Sequence, residues 1–302
     1  MAPRTPPIED IPLIYQPPQS EGHKLEWRRY TPSGSGPWPT VVLLHAGHFV
    51  GGSPFGVTLE RVAEDLKDAG YYVLVPTWRL APCGLIPGQY PHDITDAGLA
   101  SGRPPQQSND VKAIIQAARD DINCLNDKVG VVGGSAGATH AVWMALDTNS
   151  TVPSNVWPFW TTDDRADVAV CLSGAYLFSD RTAEIYSPVM DFEGIIVNYT
   201  GTKNLTKQAD LSPTKLVQSP NNFPFKPIFL INSKFDTMPY HQIVDMKEAL
   251  EAKGIFQPTF KLITIPNSSA HSYEYWYDND GQPVPQTIKE DVIDYLDTYL
   301  KP

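Results

Sequence analysis

The sequence predicts a doubly wound α/β fold around a mostly parallel sheet. Three observations carry that expectation. Short β-rich runs alternate with amphipathic helical patterns along most of the 302 residues. Most of those runs are apolar throughout, as in strands covered by helices on both faces. Two of the helical stretches end at a glycine, the residue that tolerates the left-handed turn closing a helix.

Residues 1–22 read as a proline-rich arm without periodicity, and 23–302 as a single α/β domain. "LEWRRY" (25–30) alternates like a partly exposed strand. "TVVLLH" (40–45), "YYVLVP" (71–76), "KVGVV" (128–132), "DVAVCL" (167–172) and "PIFLIN" (227–232) are strands of the parallel sheet, and "TFKLITI" (259–265) is a further one. Between them, "VTLERVAEDLKDAG" places Val62 and Leu66 one turn apart and stops at Gly70. "SNDVKAIIQAARDDI" puts Val111, Ile114, Ile115 and Ala118 on one face, with Ser108 as its N-cap. "DMKEALEAKG" (245–254) ends at Gly254. The terminal "TIKEDVIDYLDTYL" opens with a T-x-x-E capping box of Thr287 and Glu290, followed by Ile288, Val292, Tyr295 and Tyr299 at helical spacing. Two stretches, about 80–107 and 177–226, break the alternation. Such excursions from a compact sheet read as lids or binding loops, or as mere decoration.

Composition narrows the function. Hydrophobic residues make up 41% and charged residues 19%, as in a soluble globular protein. No apolar run is long enough for a membrane helix. A net charge of −11 disfavours nucleic acid, anionic membranes and polyanionic substrates, and favours a small neutral ligand. Cys83, Cys124 and Cys171 lack the spacing of a zinc or redox site and read as small buried residues. The polar "MAPRTPPIED" has no signal-peptide core, so the chain reads as cytoplasmic, or as a secreted protein whose leader an initiator Met replaces.

The stretch "VGVVGGSAGATH" (129–140) allows three readings. A dinucleotide cradle needs Gly-x-Gly-x-x-Gly in an early unit, and a Walker loop needs Gly-Lys-Ser/Thr; neither occurs. "GGSAG" does match G-x-S-x-G, the strand-to-helix elbow that presents a nucleophile above a sheet. Ser135 then needs a strained backbone, and Gly133 and Gly137 leave room for the crowded strand and helix. A serine nucleophile also requires a base, an orienting acid and oxyanion donors. Asp236 follows the strand "PIFLIN" and His271 follows "TFKLITI". Both thus sit at strand carboxyl ends, where catalytic groups of open α/β sheets collect. For the oxyanion, "LLHAGHFVGGS" (43–53) follows an early strand and offers the backbone N–H groups of Gly47 and His48, beside that of Ala136.

With these pieces in place the chain resembles an α/β-hydrolase of the broad hormone-sensitive-lipase and bacterial feruloyl-esterase-like group. The likeness rests on "HAGHF", "WRLAP", "VGVVGGSAG", "LSGAY", "SPTKLV", "DTMPYHQ" and "AHSYEYW", spanning about residues 40–275. It implies a serine hydrolase of small neutral carboxylic esters (short-chain, acetyl or feruloyl), with Ser135 as nucleophile, His271 as base, Asp236 as acid and no metal or cofactor. Ala46 and His48 replace glycines of the His-Gly-Gly-Gly loop. Ala138 and Thr139 stand where relatives often carry Gly-His. The segment after "WRLAP" is unusually long and glycine-rich.

Other readings remain. The same triad serves arylformamidases and serine peptidases, and a non-catalytic small-molecule receptor can share the fold. Asp210 and Asp245 compete with Asp236 for the acid. His45 reads as a loop anchor, His48 as a pocket or solvent residue, and His140 and His241 as structural. Trp157, Phe159 and Trp160 read as a pocket rim or as ordinary packing.

Overall fold

A computed structural model describes residues 6–11, 25–81, 102–146, 165–182, 191–218, 225–278, 281–282, 284 and 287–302. Eight strands form one sheet: β1 (Ile8–Asp10), β2 (Glu26–Tyr30), β3 (Trp38–Leu44), β4 (Tyr72–Pro76), β5 (Cys124–Gly134), β6 (Val168–Leu172), β7 (Ile228–Ser233) and β8 (Phe260–Ile265). Their order is β1-β2-β4-β3-β5-β6-β7-β8. β2 runs antiparallel to both β1 and β4, and every other pair is parallel.

Helices cover both faces, as the continuous apolar strands require. α1 (Val57–Asp68) and α8 (Lys289–Leu300) pack on the face that receives Val41, Leu43, Val73, Val170 and Phe229. α2 (Gln106–Asp120), α3 (Ala136–Leu146) and α7 (His241–Ala252) cover the other face against Val42, Leu44, Leu74, Val131 and Leu230. Successive residues of one strand thus enter opposite cores, the period of two that a pleated strand imposes. Three shorter helices, α4 (Phe192–Thr200), α5 (Leu205–Asp210) and α6 (Pro213–Gln218), fill the second excursion between β6 and β7.

Several local expectations are corrected. The N-terminal arm is not wholly irregular, because Ile8–Asp10 pairs with β2 and Ile11 is buried. Ser108 is not an N-cap: α2 begins at Gln106 and turns Ser108 inward, with Oγ 3.5 Å from His140 Nδ1. The Thr287–Glu290 capping box does not form. α8 starts later, capped by Ile288, and Thr287 Oγ1 accepts from the Lys289 N–H instead. Glu290 still occupies the first turn, where a carboxylate complements the helix dipole. α7 begins at His241, four residues before the apolar periodicity suggests.

Cys124 and Cys171 are buried free thiols. Burial pushes the Cys124 thiol up to about 11 and Cys171 higher still, so neither offers a thiolate near neutrality. Cys83 and most of the first excursion lie outside the described residues, as do Trp157, Phe159 and Trp160. No described helix is long and apolar enough to cross a membrane.

Candidate active site

Ser135 is the single residue between β5 and α3. Its φ of 53° lies in the left-handed region, which costs a non-glycine residue about 1–3 kcal/mol. The surroundings hold it there. The Ser135 N–H donates to Leu172 O (2.8 Å), and its carbonyl accepts from the N–H groups of Ala138 (2.9 Å) and Thr139 (3.1 Å). The elbow leaves no space for flanking side chains. A Cβ on Gly133 would stand 2.1 Å from Gly137 O, and one on Gly137 would stand 2.5 Å from His45 O.

Asp236 and His271 follow β7 and β8, the two strands on one side of β6, and meet above their carboxyl ends. His271 Nδ1 lies 2.6 Å from Asp236 Oδ1. A carboxylate only accepts, so Nδ1 carries a proton and donates it to Asp236. The Asp236 carboxylate is held from several directions. Met238 N–H donates to Oδ1 (2.8 Å), while the Ser173 hydroxyl (2.6 Å) and the Tyr275 hydroxyl (2.8 Å) donate to Oδ2. The Ser173 oxygen also accepts from Ser272 N–H (3.0 Å), and the Tyr275 oxygen from Ser233 N–H (2.8 Å). The loops after β7 and β8 and the end of β6 therefore share one buried network. The loop after β8 lies against the elbow, because a Cβ on Gly134 would stand 1.9 Å from Ser272 Oγ. Among the described residues the Ser135 hydroxyl makes no hydrogen bond to His271. Such bonds are often long in unliganded sites and tighten with substrate.

The loop after β3 makes three consecutive positive-φ residues: Gly47 (144°), His48 (55°) and Phe49 (66°). Gly47 O accepts from the N–H groups of Val50 (3.0 Å) and Gly51 (2.8 Å), closing a tight turn that leaves 2.1 Å between a Gly47 Cβ and Gly51 O. The Ala136 N–H opens α3, where orphan amides and the helix dipole favour negative charge. His45 is an anchor. Its buried ring stacks on Trp78 at 3.6 Å and its Nδ1 lies 2.9 Å from Ala46 O. Burial holds its pKa near 4, so the ring is neutral. His48 is half-buried, and both burial and the neighbouring His271 imidazole hold it below the usual histidine range.

Sequence reasoning did not assign Ser173 and Tyr275, although both lie in stretches with strand-end placement, "LSGAY" and "AHSYEYW". Of the rival acids, Asp210 is exposed. Asp245 sits in α7, where burial and Asp180 raise its pKa to about 6. The structure sets only Asp236 of these three against His271. His241 is exposed at the start of α7, and His140 is wholly buried beneath the site. A cleft of about 380 Å³ opens beside His271, lined by Ser53, Phe55, Val57, Leu59 and Glu274. Beside Ala136, an apolar cluster joins Phe49, Phe178, Ile196, Tyr199 and Met238. No group of three or more His, Cys, Asp or Glu among the described residues is arranged to hold a metal ion.

No family model and no curated protein matches the sequence. Solved structures do match in shape. A thermophilic esterase from the Planctomycetes species Thermogutta terrifontis, Est2 in its native form, is 15% identical, with a TM-score of 0.68 over 99% of this chain and 95% of that one. Its butyrate-bound form gives 0.65 at 15% identity, over 99% and 96% of the two chains. The same organism's esterase 2 phosphonylated by sarin gives 0.64 at 14% identity, over 97% and 98%. At these identities the likeness is one of fold, and with the sheet order above it makes this chain an α/β-hydrolase fold.

Proposed function

We propose that the chain is a serine hydrolase of carboxylic esters, acting on a small neutral ester of short-chain, acetyl or feruloyl type. The observation that carries this reading is the hydrogen-bonded Asp236–His271 pair, 2.6 Å apart, beside a serine held left-handed on a strand-to-helix elbow. Ser135 Oγ attacks the ester carbonyl while His271 Nε2 takes its proton. Asp236 fixes the tautomer and stabilises the imidazolium. The N–H groups of Gly47, His48 and Ala136 receive the developing oxyanion. The C–O bond breaks, the alcohol leaves with the proton from His271, and a water activated by the same imidazole releases the acid. The leaving oxygen must face His271, which places the alcohol part toward the cleft of Phe55 and Val57.

The structural neighbours favour this reading. One is described as butyrate-bound and another as phosphonylated by sarin, a modification expected of an activated nucleophile. The test is turnover of p-nitrophenyl esters of rising chain length, methyl ferulate and acetylated sugar. Ser135→Ala should lower kcat on any accepted ester by about 10⁵–10⁶-fold. It should also abolish covalent labelling by a fluorophosphonate. Retained turnover in that variant overturns the reading.

A further inference from the structure

"GATH" after the elbow carries residues that the proposed mechanism leaves without a role. Thr139 Oγ1 accepts from the Ala175 N–H (3.0 Å), tying α3 to the loop after β6. His140 points the other way, into a buried polar chain beneath the 47–49 loop. Its Nε2 lies 2.9 Å from Gln107 Oε1. Gln107 is itself wholly buried, and its Nε2 reaches Phe49 O at 2.7 Å and Gly102 O at 2.6 Å.

The inventory of donors fixes every proton in this chain. Both amide hydrogens of Gln107 are consumed by the two carbonyls, so Oε1 is the acceptor facing His140. His140 must then donate from Nε2, which leaves Nδ1 to face the Ser108 hydroxyl. Burial lowers the His140 pKa to about 3, so the ring keeps that neutral tautomer at working pH.

Phe49 is where this chain meets the loop. Its carbonyl accepts a second bond from Ala81 N–H (2.8 Å), and its ring stacks on Tyr199 at 3.9 Å. Ala81 is fixed through Arg79, whose buried guanidinium and N–H bind Asp110 at 2.7–3.0 Å. The loop thus pays for its positive φ angles through bonds made at its last strained residue.

We propose that Gln107, oriented by His140, is a positioning residue that holds the 47–49 loop left-handed and keeps the Gly47 and His48 N–H groups aimed at the oxyanion. The proposal rests on the ester-hydrolase reading for its catalytic consequence, but not for the clamp itself. Misplacing reacting groups by about 1 Å can cost a hundredfold.

The test compares wild type, Gln107→Met and Gln107→Glu by steady-state ester kinetics and by amide hydrogen exchange. Gln107→Met should lower kcat about 10- to 100-fold with KM changed less than about threefold. The Val50 and Gly51 amides, bonded to Gly47 O, should exchange faster while the Ala138 and Thr139 amides of the elbow keep their protection. Gln107→Glu places a carboxylate against two carbonyls. Its kcat relative to wild type should recover as pH falls, because the protonated acid again donates one bond; the Gln107→Met ratio should stay flat. Unchanged kcat with unchanged exchange overturns the proposal, as does equal loss of protection in loop and elbow. If Gln107→Met does not fold, a flat pH ratio for Gln107→Glu overturns it alone. A wild type that cleaves no ester sinks the hydrolase reading, and the exchange comparison still decides the clamp.

Discussion

The two flanks of Ser135 are built in different ways. On the acid–base flank, side chains do the holding. His271, Ser173 and Tyr275 all bond Asp236 directly, and Ser173, Asp236 and His271 come from the segments that follow three neighbouring strands. On the other flank the groups proposed to meet the oxyanion are backbone amides, in a loop of positive φ angles whose Phe49 is bonded by Gln107 and Ala81 and stacked on Tyr199, far away in the chain. The first design places chemistry by choosing side chains at strand ends. The second places it by bending main chain and clamping the bend from a distance.

Breaking the acid–base flank at its centre should give the largest effect. Asp236→Asn keeps the shape but favours the wrong His271 tautomer, and kcat should fall about 10⁴-fold with little change in KM, read by p-nitrophenyl ester kinetics. A value within tenfold of wild type would mean that the pair only supports the fold. Tyr275→Phe removes one donor to Asp236 and leaves the buried Ser233 N–H unpaired. It should cost about 1–3 kcal/mol by urea unfolding. Its kcat should fall far less than in Asp236→Asn, because the Ser173 hydroxyl still binds the acid.

The proposed oxyanion flank also responds to acid, through the fold. His45 and His140 beneath it are buried and neutral, with pKa values held near 4 and 3. Depressed values mean that the unfolded chain binds more protons, so this stability is complete above about pH 6.5 and is lost as pH falls toward 4 and 3. Each histidine contributes a slope of at most about 1.4 kcal/mol per pH unit. Asp245 works the opposite way. Raised to about 6, it holds a proton in the folded state between its unfolded value of 3.8 and 6, and so offsets part of the loss. Urea midpoints at pH 7, 5.5 and 4.5 should therefore fall monotonically, and a midpoint independent of pH would refute the neutral assignment.

The same contrast decides what could be read from the sequence. Apolar runs located β3 through β7 because strands buried on both faces leave uninterrupted hydrophobic stretches, while β2 showed itself by alternation and β8 by a β-rich run. The Asp236–His271 pair was legible because a strand end is itself a sequence signal. The clamp was not. "RPPQQ" reads as the end of a surface loop, yet Gln107 is wholly buried, and Gly102 beside it packs so close to the Arg79 backbone that a Cβ would stand 2.4 Å from Arg79 O. β1 was missed for a simpler reason: its three residues are exposed and show no alternation, so only pairing with β2 makes them a strand.

The helix that follows Ser135 has no wet face. All eleven residues of α3 are buried, between the sheet on one side and α2 and α6 on the other. A helix with a solvent side can open by itself in a local fluctuation; this one can open only by breaching the core. The geometry at Ser135 is thereby coupled to global unfolding, and its amides should exchange with the slowest set in the molecule. Activity lost below the melting transition should then begin outside α3, with Ser135 still in place.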